Sequence, residues 1–309
     1  MSTVRPGKVA AKAKAVSTAG KVASVPRKVT KAAFAKGAGG EVGQASVHPS
    51  AIVEDGARLG AGVRIGPFCC VGGNVSLGDG VELMSHVVVA GRTTIGPRTR
   101  IFPCASVGLQ PQDLKYKGEP STLTVGADCI IREGVTMNPG TEGGGMVTVV
   151  GDGCAFLAYS HVGHDCRVGN NVIFSNNVML AGHCVVGDYA IIGGGAAVIQ
   201  YARVGAHSFL GGMSGLENDL IPYGMALGNR AHLSGLNIVG LTRRGFARDD
   251  IHKLRRAYRL LFADEGNLKE RVDDVAQEFS THPIVQEIVA FIRAGGKRSL
   301  CTPGDRVGG

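Results

Sequence analysis

Residues 59–78 read LGAGVRIGPFCCVGGNVSLG, and their reading decides the fold. An aliphatic residue returns at every sixth position: Leu59, Ile65, Val71, Leu77. Extended outward, the series becomes Val47, Val53, Leu59, Ile65, Val71, Leu77, Leu83, Val89, Ile95, Ile101, Val107, with no miss. It lapses at Asp113 and Glu119, resumes at Val125, Ile131 and Met137, and changes phase across a glycine-rich break at Gly140–Gly145. A second run follows: Val150, Phe156, Val162, Val168, Phe174, Leu180, Val186, Ile192, Val198, Val204, Leu210, Leu216. A period of six fits neither a helix at 3.6 nor a lone strand at 2. It fits a coil of three short strands and three tight corners, one aliphatic per side pointing inward, each turn rising by about 4.8 Å. The expected fold is an all-β solenoid, a parallel β-helix of hexapeptide repeats. Known hexapeptide helices are left-handed, against the usual crossover rule. Glycines that follow the aliphatics are expected at corners with unusual backbone angles.

The same phase accounts for the cysteines. Cys69, Cys129, Cys154, Cys166 and Cys184 each follow a ladder aliphatic by four residues, a second inward position that suits small side chains. No CxxC spacing suggests zinc, so these are core thiols rather than a disulfide framework. Past residue 220 the spacing turns helical, through Ile251, Leu254, Tyr258 and Leu261, then Leu268, Val272, Val275 and Phe279 capped by Asn267. Pro283 opens a third helix through Ile284, Ile288 and Ile292, stopped by Gly295 and Gly296. The domains expected are a basic tail at 1–44, the β-helix at 45–220 with loops at 108–124 and 138–149, a C-terminal α-helical domain at 221–296 and a frayed end at 297–309.

Composition narrows the function. The chain has 309 residues, 48 of them Gly, no Trp and 5% aromatics, so no core of large rings is expected. The net charge of +8 is local: residues 1–44 hold nine Lys/Arg against Glu41, and the rest is formally neutral. That tail reads as a solvated segment too polar to fold alone. Its lysine-rich character counts against an organelle transit peptide, which is arginine-rich, and its bias does not make a nucleic-acid arm. No apolar run reaches the roughly 18 residues of a membrane helix and no signal-type apolar segment follows the start. A bacterial cytoplasm is the expected location, with a plant organelle the alternative.

The repeat also places candidate chemistry. Positions 164, 182 and 200 stack one coil apart, so His164, Gly182 with its neighbour His183, and Gln200 share one column, with His161 ending the preceding strand. Three histidines, an amide and an exposed glycine allow two chemistries. One is general-base catalysis by a near-neutral imidazole; the other is a metal held by imidazoles.

Several stretches resemble the UDP-N-acetylglucosamine acyltransferase family, which acts first in lipid A biosynthesis. They are Ser160-His161-Val162-Gly163-His164-Asp165-Cys166, Gln112-Asp113-Leu114-Lys115-Tyr116-Lys117-Gly118-Glu119-Pro120, Leu180-Ala181-Gly182-His183, and Gly235-Leu236-Asn237-Ile238-Val239-Gly240-Leu241 with Arg243-Arg244-Gly245-Phe246. The resemblance implies a homotrimer of left-handed β-helices that moves an R-3-hydroxyacyl chain from acyl carrier protein to the glucosamine 3-hydroxyl of UDP-N-acetylglucosamine. No cofactor or metal is implied. His164 would be the general base, Asp165 its orienting partner and the Gly182 N–H an oxyanion donor. Asn237, Arg243, Arg244, Gln200, His161 and His183 would contact the UDP-sugar, with Lys115 approaching from a neighbouring subunit. Gly212 would set acyl length and leave room for a long chain. The cluster Arg243, Arg244, Arg248, Lys253, Arg255, Arg256 and Arg259 would dock acidic acyl carrier protein. The chain departs from the family pattern at Ile199, Asn138-Pro139, Arg230 and Val239, which leaves a 3-amino acceptor as an alternative. A γ-type carbonic anhydrase built on His161, His164 and His183 is the alternative from another class. The N-acyltransferase acting later in lipid A synthesis carries an extra N-terminal globular domain for which residues 1–44 are too short, and a purely structural solenoid would not need the histidine column.

Overall fold

The computed structural model describes residues 43–304. The expected basic tail, apart from residues 43 and 44, and the last five residues lie outside that range. From Ser46 onward the chain winds as a left-handed parallel β-helix. Its two-residue strands stack into three parallel sheets, each strand hydrogen-bonded to the one a coil away, as His161–Val162 is to Met179–Leu180 and that to Ala197–Val198. Up to Leu216 the register step is 18 residues wherever no loop intervenes, and it shortens to 16 from Phe209 to Met225. From Ile65 on, the second residue of each two-residue strand of the coils is buried inward: Val162, Leu180, Val198 and Leu216 form one such ladder, each at most 2% exposed. Burial of that ladder is the main favourable term, since each fully buried Val or Leu contributes about 1.5–3 kcal/mol.

The glycine expectation needs correction. Of the glycines that follow the aliphatics, Gly108 has the expected positive φ (83°), whereas Gly60, Gly66, Gly72, Gly78 and Gly96 do not. Gly60, Gly66, Gly78 and Gly96 are required by proximity: a Cβ on Gly66 would sit 1.7 Å from the Met84 carbonyl oxygen of the next coil. The left-handed conformation falls two residues later and is taken mostly by larger residues, among them Asp165, His183 and Tyr201 (φ 60, 63 and 67°) and Tyr189 and His207 (φ 58 and 56°). Strain of about 1 kcal/mol or more at each such corner is held in place by the sheets on both sides. The inward cysteines behave as expected core thiols. Cys166 and Cys184 donate their S–H to the carbonyls of Ala181 and Ile199 in the next coil, each at 3.1 Å, and all eight cysteines are free.

Both long loops leave the same edge of the prism. One connects Ser106–Val107 to Thr122–Val125, and the other connects Thr136–Met137 to Val147–Val150. Hydrogen bonding continues across them, because Thr122 N–H donates to Met146 O and Asn138 Nδ2 donates to the carbonyls of Leu109 and Gln110.

The solenoid also runs further than residue 220. Gly224–Leu227 pairs in parallel with Phe209–Leu210, and His232–Leu236 turns back antiparallel to it, so the sheet edge is closed by a hairpin before the helices begin. Four helices follow: α1 (Ile238–Arg243), α2 (Arg248–Leu261), α3 (Leu268–Glu278) and α4 (Pro283–Ala294). The sequence reading omitted α1, which is too short to show a period; Asn237 caps it, Oδ1 accepting the Gly240 N–H at 3.1 Å. Asn267 and Glu270 form a capping box on α3. Of the end expected to fray, 297–309, the described part at 297–304 is bonded as a strap: the Asp219 N–H donates to Ser299 O, the Cys301 N–H donates to Asp219 O, and Cys301 is 1% exposed. Its apolar Leu300 and Cys301 give that strap something to bury.

Candidate active site

The corner that follows strand His161–Val162 brings His164 and Asp165 together. His164 and Asp165 are both buried, and the Asp165 side chain is wholly so. His164 Nδ1 lies 2.8 Å from Asp165 Oδ2. A carboxylate only accepts, so Nδ1 carries the proton and Nε2 presents a lone pair. A buried carboxylate is tolerable only with its lone pairs filled. Asp165 Oδ1 accepts the Thr141 N–H at 2.8 Å, Oδ2 accepts the Thr141 hydroxyl at 2.6 Å, and the Asp165 N–H donates to Thr148 Oγ1 at 2.8 Å. The loop at 138–149 therefore exists to wrap this carboxylate. It approaches so closely that a Cβ on Gly144 would fall 2.0 Å from Asp165 Cγ.

One coil above, the His164 ring lies over the Gly182 backbone, where a Cβ would meet Nε2 and Cε1 at 2.6 Å. Among the described residues the Gly182 N–H has no acceptor. A base nitrogen thus stands beside an unspent backbone donor, the pair that acyl transfer to a hydroxyl requires. His183 meets the His164 ring edge-on, with centroids 4.8 Å apart and planes at 89°, and its Nδ1 is 3.7 Å from Asp165 Oδ2, beyond a hydrogen bond. Burial depresses the proton affinity of His183, with His164 and Lys297 adding to it against Asp165 and Asp113. His161 bonds Thr136 Oγ1 at 2.7 Å through Nδ1, and its proton affinity too is lowered by burial and then by His164. Both imidazoles are therefore held toward neutrality.

The first loop is tied to the second, with the Glu142 N–H donating to Glu119, and its Asp113 is near enough to act on His183 of its own chain. Lys115 is exposed on that loop. Gln200 is exposed one coil above Gly182, and its carbonyl accepts from Arg298 Nε at 2.9 Å. Gly212 is exposed, and a side chain there would press on Gly194 O at 3.2 Å.

Asn237, Arg243 and Arg244 are not at this corner. Arg244 Nη2 donates to the Tyr189 carbonyl at 2.7 Å, and Asn237 Nδ2 donates to the His207 carbonyl at 2.9 Å. Tyr189, His207 and Tyr223 stack with Phe246 against two of them along the next edge of the prism. Six residues separate His183 from Tyr189, about 20 Å of extended chain. Arg244 is partly buried, its Nη1 has no partner among the described residues, and Arg243 is exposed. Within one chain the expected site residues therefore fall into two groups on neighbouring edges. A three-histidine metal centre is not formed either: the atoms that converge belong to His164, Asp165 and His183, while His161 faces Thr136.

Sequence reading missed Thr141 and Thr148, which fix Asp165, and Tyr201, whose ring stacks on His183 at 4.4 Å and 6°. The phase break at 140–145 was the available signal, since chain that leaves a repeat must have something else to contact. Tyr201, one coil above His183, was legible from the 18-residue step.

Comparison with known proteins places the chain among related sequences and structures. A family profile described as UDP N-acetylglucosamine O-acyltransferase, domain 2, matches residues 219–301, and one for the bacterial transferase hexapeptide matches 148–182. A protein of Methylobacterium radiotolerans named acyl-[acyl-carrier-protein]--UDP-N-acetylglucosamine O-acyltransferase is 76% identical over 258 residues, 84% of this chain and 95% of that one. A crystal structure of a UDP-N-acetylglucosamine acyltransferase superposes with a TM-score of 0.81 at 40% identity, over 84% of this chain and all of the other. The UDP-N-acetylglucosamine acyltransferase from Campylobacter jejuni gives 0.79 at 37% identity, over 84% of this chain and 100% of that one.

Proposed function

The chain belongs to the acyl-[acyl-carrier-protein]–UDP-N-acetylglucosamine O-acyltransferase family, and from that premise we propose how its residues carry out the reaction. The reaction moves an R-3-hydroxyacyl group from acyl carrier protein to the glucosamine 3-hydroxyl of UDP-N-acetylglucosamine, the first step of lipid A biosynthesis. The observation that carries the assignment is the 2.8 Å His164–Asp165 contact beside the unspent Gly182 N–H.

His164 Nε2 takes the 3-hydroxyl proton as that oxygen attacks the thioester carbonyl. The carbonyl oxygen becomes the oxyanion, and the Gly182 N–H donates to it. Collapse breaks the carbon–sulfur bond, and the imidazolium returns its proton to the departing thiolate. Asp165 holds the tautomer and stabilises the imidazolium, as a buried acceptor does. The sugar oxygen is the nucleophile, so no enzyme nucleophile is needed. General-base help is worth about 10²–10⁴-fold. His161, His183, Gln200 and Lys115 line the sugar and phosphate end. Gly212, at the corner after Phe209–Leu210, leaves a different edge of the prism open for the acyl chain.

The separation of the two residue groups supports a homotrimer in which Asn237, Arg243 and Arg244 of one subunit face His164 of the next. Arg255 and Arg259 flank a cavity of about 230 Å³ with Leu236, Ile238 and Tyr258, and we assign acyl carrier protein to this basic surface. Lys253 and Arg256 are already paired with Asp249 and Glu278. No helix among the described residues is long and apolar enough to cross a membrane, and the reaction is assigned to the bacterial cytoplasm.

Transfer is tested with hydroxyacyl acyl carrier protein and UDP-N-acetylglucosamine, comparing the wild type with His164→Ala. A loss of at least about a hundredfold is expected. Wild-type rates in the variant would remove His164 from the mechanism. Transfer only to a 3-amino sugar would correct the acceptor. A monomer by light scattering that is fully active would refute the shared site.

A further inference from the structure

We propose that Lys297, carried by the C-terminal strap onto the face of Tyr201, is a positioning residue for acyl transfer that acts through the Tyr201–His183 stack on the His164–Asp165 pair. The inference rests on the reading of His164 as the base.

The strap is fixed to the solenoid. Asp219 N–H donates to Ser299 O at 2.8 Å, Cys301 N–H donates to Asp219 O at 2.8 Å, and Arg298 Nε donates to Gln200 O at 2.9 Å. It crosses the Arg203–Asp219 ion pair so tightly that a Cβ on Gly296 would fall 2.5 Å from Asp219 Oδ2. The next residue is Lys297, and its ammonium stands 4.0 Å from the Tyr201 ring centroid. That is close range for a cation on an aromatic face. Tyr201 is a left-handed corner residue, so its backbone is set by the coils around it. Its ring lies parallel to His183, and His183 abuts His164. A continuous train of four side chains thus runs from the strap to the base.

This train matters because of what His183 lacks. Among the described residues no hydrogen bond holds the His183 ring; stacking alone orients it. Asp165 Oδ2 faces two imidazoles, at 2.8 Å and 3.7 Å. Only a neutral His183 leaves the carboxylate to His164. The groups facing His183 are Asp165 and Asp113, which favour its protonation, and His164 and Lys297, which oppose it, together with its burial. Lys297 adds one positive charge and caps the stack. At roughly 8 Å in a half-solvated setting, one charge displaces a titration by about half a pH unit.

Removing the charge raises the proton affinity of His183, and a protonated His183 competes for Asp165, so the acidic limb of kcat/KM moves to higher pH. The test compares pH–rate profiles of the full chain for the wild type, Lys297→Met, Lys297→Arg and His164→Ala. Expected is an acidic limb about half a unit higher in Lys297→Met, an approximately threefold loss on that limb, and wild-type behaviour in Lys297→Arg. A superimposable Lys297→Met profile overturns the inference. So does an equal loss at every pH with a lower melting temperature, which is a structural role, or a rise confined to the KM for UDP-N-acetylglucosamine, which is direct substrate contact. An active His164→Ala would instead sink the base assignment beneath it. An inactive His164→Ala with an unmoved Lys297→Met sinks only the role of Lys297.

Discussion

Gly182→Ala isolates the geometry of the base from the stability of the fold. Gly182 does not have positive φ, so alanine can take its backbone conformation without strain. The added methyl nevertheless falls 2.6 Å from His164 Nε2 and Cε1, where about 3.4 Å or more is ordinary contact. The ring must retreat by roughly 1 Å, and misplacement of that size costs about a hundredfold in rate. The hydrogen bond to Asp165 resists the retreat, because Oδ2 is also held by the Thr141 hydroxyl. Overpacking at one buried site costs about 1–3 kcal/mol, which a long coil stack absorbs. Steady-state transfer assays with both substrates, beside thermal unfolding, measure the two effects separately. Expected is kcat down by about a hundredfold with both KM values within about threefold and a melting temperature lowered by a few degrees. An alanine variant with kcat within about threefold of wild type would refute the reasoning, for then the ring does not work where the structure places it.

Thr141→Val removes one hydrogen bond to a buried carboxylate, worth about 1.5–3 kcal/mol; a lower melting temperature and about a tenfold loss in kcat are expected, and Thr141→Ser should restore both. Reversing Arg255 and Arg259 to glutamate should raise the KM for acyl carrier protein and leave that for UDP-N-acetylglucosamine unchanged, and the wild-type KM for the carrier should rise steeply with salt. His161, His183 and His207 all have proton affinity lowered by burial. Below about pH 6.5 the unfolded chain binds protons that the folded chain refuses, so stability present at pH 7 is lost on acidification. Melting temperature should fall from pH 7 toward pH 5, and the fall should be smaller in His207→Phe.

The fold was legible because a single period specifies it. Val162, Leu180 and Val198 name their own register, and Asn267 and Pro283 mark helix starts by local chemistry. Glycine was misread because a proximity requirement and a backbone requirement select the same residue. Only the coil spacing, which places Met84 O against Gly66, separates them. At the site, the column of His164, Gly182 and Gln200 followed from arithmetic, and the roles came from resemblance. What could not be read was the supporting shell. Thr141 reaches Asp165 across 24 residues through a loop with no repeat, and Lys297 returns from beyond four helices. Such contacts depend on chain paths that no periodicity encodes.

The two loops at one edge separate two kinds of change in this molecule. Each leaves and rejoins the coil at neighbouring pairing positions, so the sheets close beneath it without a slip. Loop length can therefore drift while the axial coordinate of every corner stays fixed. Loss of a whole coil does the reverse: it preserves each inward contact and shifts the corners by one pitch, about 4.8 Å. Distances along the edge, including any that measures an acyl chain, are thus quantised by the scaffold, whereas the walls around His164 can vary continuously.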